Sequence, residues 1–147
     1  MKKVMLLASE EFCEVLCDEL REVYMVFPCS NERDAQKALL MEPDALVLNL
    51  FLPGMDSLEF LRTYTAILPQ AVIALTPLIN QNLLMVLSGL EITCLLRIPF
   101  RFDELKKQLS ASLAKKEASP DKRRGKHWTS EGYSGVGTQK PHTIGRN

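Results

Sequence analysis

Five short apolar runs divide the first hundred residues, and each is followed by a stretch whose apolar residues recur at helical spacing. The runs are Val4 to Ala8, Val23 to Phe27, Ala45 to Leu48, Ala71 to Leu75 and Thr93 to Arg97. A continuous apolar run such as Val4 to Ala8, without polar alternation, predicts a strand buried on both faces, and the others are read as strands. After the first run, Ser9-Glu10-Glu11 supplies an N-cap hydroxyl and acids for a first helical turn. Phe12, Val15, Leu16 and Leu20 then mark a helix. Pro28 to Asn31 turns the chain, Ala35, Ala38, Leu39 and Leu40 mark a second helix, and Glu42-Pro43-Asp44 ends it. Leu58, Phe60 and Leu61 give a third, capped by Asp56. Leu78 to Ser88 gives a fourth, stopped at Gly89, and Phe102, Leu105, Leu109 and Leu113 line a fifth. Five strand-helix units within residues 1–114 predict an α/β domain, a parallel sheet with helices on both faces.

Residues 115–147 break the pattern. They hold five of the seven glycines and few apolar residues, too little surface to offset the entropy of ordering them, so a disordered tail is expected there. The net charge of zero conceals a division. Residues 1–114 carry 10 Lys+Arg against 15 Asp+Glu, a net of −5, and residues 115–147 carry 8 against 3, a net of +5. An acidic body therefore bears a basic tail, with Lys122-Arg123-Arg124-Gly125-Lys126-His127-Trp128 as its densest stretch. The cysteines, Cys13, Cys17, Cys29 and Cys94, show no zinc or redox spacing and are expected as buried free thiols. The run Val4 to Ala8 is too short for a signal peptide, and no apolar stretch approaches a membrane span. A soluble cytoplasmic protein is expected.

The third unit carries the most specific signal. Asn49-Leu-Phe-Leu-Pro-Gly-Met-Asp-Ser57 places a Pro-Gly turn between strand and helix, at the strand end where ligands gather in parallel sheets. With Thr76 ending the fourth strand and Pro99-Phe100 following the fifth, this resembles the receiver domain of bacterial two-component response regulators over roughly residues 2–114. The resemblance implies a flavodoxin-like, CheY-like sheet of order 2-1-3-4-5. It also implies a Mg²⁺ site at an acidic pair after the first strand, an aspartate at the end of the third strand that accepts a phosphoryl group, and a Lys before the Pro. By position the acidic pair falls on Ala8 and Ser9, the acceptor on Asn49, the Lys on Ile98 and an aromatic switch residue on Leu95. Of the reaction centre, Thr76 alone matches. The resemblance further raises a cis peptide at Ile98-Pro99, which the sequence does not decide.

These departures change the chemistry. A hard divalent cation takes carboxylate oxygens, and Ala8, Ser9 and Asn49 offer none. An acyl phosphate requires a carboxylate nucleophile, which an amide is not, and Ile98 brings no cation to the transferred charge. The expectation is a degenerate receiver without catalytic residues, cofactor or Mg²⁺, and with no enzymatic activity. A one-residue slip that aims Glu10 inward, or Asp56 as a substitute ligand, is the competing reading. Both acids are better explained by the helix starts they occupy.

Function then shifts to surfaces. Leu83-Leu84-Met85-Val86-Leu87 is an unbroken apolar run in a helix that needs only a stripe to pack. The resemblance points to the face of the fourth helix, fifth strand and fifth helix. Leu83, Leu84, Leu87 and Leu95 are therefore expected to meet a protein partner or a second copy. A phosphorylation-independent interaction module is the leading expectation. The alternatives are a phosphorylation-competent receiver using unorthodox groups, or a nucleic-acid-associated adaptor acting through the basic tail. Neither nucleic acid nor membrane is the expected partner. His127 and His142 lie far from any acid cluster, and no nucleotide fingerprint or triad occurs.

Overall fold

A computed structural model describes residues 1–118. The elements are β1 (Lys3–Leu7), α1 (Glu10–Leu20), β2 (Met25–Cys29), α2 (Glu32–Leu39), β3 (Ala45–Asn49), α3 (Ser57–Thr63), β4 (Ala71–Thr76), α4 (Gln81–Leu87), β5 (Cys94–Arg97) and α5 (Phe102–Ala118), with a single 3-10 turn at Thr65–Ile67. The strands form one five-stranded sheet in the order β2-β1-β3-β4-β5, and every neighbouring pair is parallel. The tail expected from residue 115 lies, from 119 onward, outside the described residues, and so do its basic stretch and both histidines.

Alternating residues along the strands feed two cores. Val4, Leu6, Val47, Ile73 and Leu75 face α1 and α5, where they meet Leu16, Leu20, Leu105 and Leu109. Met5, Leu7, Leu46, Leu48, Val72 and Ala74 face the other way onto α2, α3 and α4, meeting Ala35, Leu39, Phe60, Leu61 and Leu87. This double burial explains the continuous apolar runs of β1, β3 and β4, whereas β2 at the sheet edge is largely exposed or half-buried.

Two helix starts use the residues expected of them, and two use caps not singled out in the sequence. Ser9 Oγ accepts from the Phe12 N–H at 3.2 Å, and Asp56 Oδ1 accepts from the Glu59 N–H at 3.1 Å. Asn31 and Asn80 cap α2 and α4 in the same way, at 2.9 and 2.8 Å. Gly54 has φ +88 in the β3–α3 loop, a conformation open to glycine and strained for other residues.

Three local expectations shift. β2 begins at Met25, not Val23, because the Val23 and Tyr24 N–H groups bond back to the Leu20 carbonyl and extend the exit of α1. The strand therefore runs through Pro28, tolerated because β2 lies at a sheet edge. α4 starts at Gln81, so Leu78 and Ile79 lie in the loop before it. Val15 and Leu40, expected on the buried stripes of their helices, are exposed, Leu40 because it stands at the C-terminal end of α2, just before Glu42 at φ 55. All four cysteines are buried and free.

Candidate functional site

The strand ends that carry the expected site converge as the topology requires. β1 lies between β2 and β3, so the chain reverses its direction of winding there and opens a crevice at the carboxyl ends. Leu7 pairs in register with Leu48, Asn49 with Leu75 and Thr76 with Arg97. These pairings bring Ala8, Asn49, Thr76 and Ile98 to one end of the sheet.

The polar groups there are engaged by the chain itself. The Asn49 side-chain oxygen accepts from the Phe51 N–H at 2.9 Å, a closed Asx turn. The Asn49 backbone carbonyl accepts from the buried Ser57 hydroxyl at 2.8 Å. The fully buried Thr76 hydroxyl donates to the Leu78 carbonyl at 2.9 Å and lies 3.2 Å from the Leu78 N–H as an acceptor. Ser9 is committed to its helix cap, and Ala8 is buried. The Ile98 N–H donates to the Thr76 carbonyl at 2.7 Å, and Ile98-Pro99 is cis.

Where a polar centre needs a cation, this end presents hydrocarbon. Ile98, Phe12, Phe100 and Phe102 are half-buried and pack against the α1/α5 core. The Phe12 and Phe100 rings stand 6.3 Å apart, and Phe100 meets Phe102 edge-on at 6.1 Å. Glu10 is exposed and lines a groove between α1 and the Pro28–Asp34 region. Asp56 is exposed and serves its helix as a cap. Among the described residues no group of three or more His, Cys, Asp or Glu is arranged to hold a metal ion.

Two of the residues expected at a partner interface are misplaced by the sequence reading. Leu87 and Leu95 are 0% exposed and belong to the core under α4, so neither can meet a partner. Leu83 and Leu84 are half-buried against that core. The apolar groups that do reach the surface on this side are Met85 at 66%, Leu78 at 53% and Val86 at 45% exposure. An unbroken apolar run gives no phase, so the sequence did not show which of its residues turn outward. Ser57 was missed as a site residue. Its signal was available, a small polar residue directly after a helix cap where the receiver pattern has Gly.

Burial governs the thiols nearby. It pushes the Cys29 thiol up to about 12 and raises that of Cys13, so both stay protonated near neutrality. Cys13 Sγ donates to the Cys29 carbonyl at 3.5 Å.

This arrangement is the fold of response-regulator receiver domains. A chemotaxis response regulator of Vibrio cholerae superposes with a TM-score of 0.66 at 21% identity, covering 76% of this chain and 98% of its own. A response regulator receiver domain from Clostridium thermocellum gives 0.71 at 17% identity, with 80% and 98% covered. The N-terminal domain of the nisin resistance regulator, a lantibiotic response regulator, gives 0.68 at 19% identity, with 77% and 98% covered. No protein-family model matches the sequence, and comparison with curated proteins finds no match. No described helix is long and apolar enough to cross a membrane.

Proposed function

We propose that this chain is a degenerate receiver domain acting in two-component signal transduction as a cytoplasmic protein-interaction module that needs no phosphorylation. The carrying observation is the closure of the acceptor end. Asn49 stands where a nucleophilic carboxylate is needed, and its side-chain oxygen is already bonded to the Phe51 N–H at 2.9 Å. Thr76 is turned onto Leu78, Ser9 onto Phe12, and Ile98 supplies packing in place of charge. On this reading the domain holds one conformation, binds no Mg²⁺ and catalyses nothing.

NMR tests the proposal directly. Acetyl phosphate or beryllofluoride with Mg²⁺ is expected to leave the amide spectrum unchanged. Specific shifts at Asn49 and Thr76 would establish the competing reading, a receiver phosphorylated through unorthodox groups.

The exposed apolar side chains Leu78, Met85 and Val86 support a partner surface at α4. Its occupant in this reading is a signalling protein or a second copy of the chain. Light scattering after size exclusion, with Met85→Glu as the comparison, reads self-association. A strict monomer at high concentration removes the homodimer and leaves the heterologous partner.

A further inference from the structure

Two turns at the carboxyl end of the sheet share one design. Asn49 ends β3 and Thr76 ends β4, and these strands are neighbours, with Asn49 in register with Leu75. Each side-chain oxygen accepts the N–H of the residue two places on, Asn49 from Phe51 at 2.9 Å and Thr76 from Leu78 at 3.2 Å. In both turns the residue so held is large, apolar and turned to solvent. Phe51 is 55% exposed, although Leu50 and Leu52 on either side of it are buried in the core. Leu78 is 53% exposed, although Thr76 before it is fully buried and Ile79 after it packs on the same core. Neighbouring strands lie about 4.8 Å apart, and both loops lead to helices on one face of the sheet, α3 and α4. Phe51 and Leu78 therefore stand at adjacent strand ends, and Met85 and Val86 carry exposed apolar surface onward along α4.

These segments are also uncharged. No charged residue occurs from Ala45 to Met55 or from Thr63 to Leu90, in a chain that is 24% charged. The domain as a whole is acidic, with 10 Lys+Arg against 15 Asp+Glu in residues 1–114, and α1 carries five carboxylates and no cation. Two copies of so acidic a body repel each other across most of their faces, and the repulsion is least where both are uncharged. An uncharged face steers no oppositely charged partner toward itself, whereas an apolar patch is complementary to its own copy under a two-fold axis.

We propose that a second copy of this chain docks on the strand-end surface made by Phe51 and Leu78, and that Asn49 and Thr76 are positioning residues that hold those two side chains for it. The docking rests on the reading of α4 as a partner surface, extends that surface over the acceptor end and names its occupant. It gives the side chains of Asn49 and Thr76 a task that needs no phosphoryl group.

Sedimentation equilibrium of the full-length chain, unaltered and in variants that keep its circular dichroism, tests it. The unaltered protein is expected to reach the mass of two copies as its concentration rises. Phe51→Glu and Leu78→Glu should each weaken the dimer about tenfold or more, as the loss of a central apolar anchor does. Ile67→Glu, at a residue 53% exposed that precedes β4 at the opposite end of the sheet, should leave the dimer unchanged. Asn49→Ala frees Phe51 and should weaken the dimer about threefold. Asn49→Ser, whose hydroxyl accepts the same N–H, should restore it. If Asn49 serves only the stability of its loop, the alanine variant lowers the urea midpoint and leaves the dissociation constant where it was, which overturns the positioning role. A strict monomer at the highest concentration overturns the proposal and leaves α4 to a different protein. A dimer weakened by Met85→Glu but by neither Phe51→Glu nor Leu78→Glu overturns it as well, while the reading of α4 as a partner surface stands. A dimer lost equally in Ile67→Glu places the contact elsewhere and overturns it too.

Discussion

The hydroxyl of Ser57 donates to the backbone carbonyl of Asn49 at 2.8 Å, and Ser57 is almost wholly buried. The bond ties the first residue of α3 back to the last residue of β3, across the Pro53-Gly54 loop. Together with the Asn49–Phe51 turn, it sets the geometry of the loop from within.

Ser57→Ala removes that donor and leaves a carbonyl short of a partner. A loss of about 1–2 kcal/mol is expected, read as a lower urea midpoint at an unchanged slope. A loss within error would show that water replaces the hydroxyl and that the loop does not depend on it.

Asn49→Asp alone should not create a phosphorylation site. Ala8 and Ser9 still offer no carboxylate to a divalent cation, and Ile98 still offers no positive charge. Intact-mass measurement after incubation with acetyl phosphate and Mg²⁺ is expected to show no adduct. A stoichiometric phosphoryl adduct on Asp at position 49 would mean that the surrounding losses are tolerated.

The fourth helix separates stability from binding. Leu87→Ala, at a fully buried site, should cost about 2–5 kcal/mol. Met85→Glu, at a position 66% exposed, should change stability by no more than about 0.5 kcal/mol. If the surface at α4 is the partner site, Met85→Glu nevertheless weakens association. Thermal melts and a binding titration on the same pair of variants read both effects.

The buried thiols make stability fall in alkali. The Cys29 pKa is raised to about 12 from a usual 9.0, so the folded state holds a proton that the unfolded chain releases. Stability from this group is fully present below pH 9 and is lost as pH rises toward 12, with a slope of up to about 1.4 kcal/mol per pH unit. Cys13, raised by burial too, adds in the same direction. Urea unfolding at pH 8, 9, 10 and 11 should show the decline, and Cys29→Ala should flatten it.

Much of the architecture was legible in the sequence, because strands buried on both faces read as unbroken apolar runs and capping residues announce helix starts. Ser9 and Asp56 cap as read from the sequence, whereas the caps at Asn31 and Asn80 were not singled out, Asn80 lying inside the stretch expected as helix. The residue types at the strand ends were equally legible, and Ala8, Asn49 and Ile98 are what the proposal of a degenerate receiver rests on. Where a run lacked polar interruption, the sequence lost its resolving power. It did not distinguish Leu87 in the core from Met85 at the surface, since only packing against β4 and β5 sets the rotation of α4. Nor did it show the start of β2, which the exit turn of α1 delays to Met25. The bond from Ser57 to Asn49 links groups eight residues apart, and only the folded loop brings them to 2.8 Å. Composition and local pattern thus determined the elements and the residue types offered at the strand ends. Tertiary contact decided which side chains meet, which are hidden and which remain available to a partner, because those depend on distances that no local pattern encodes.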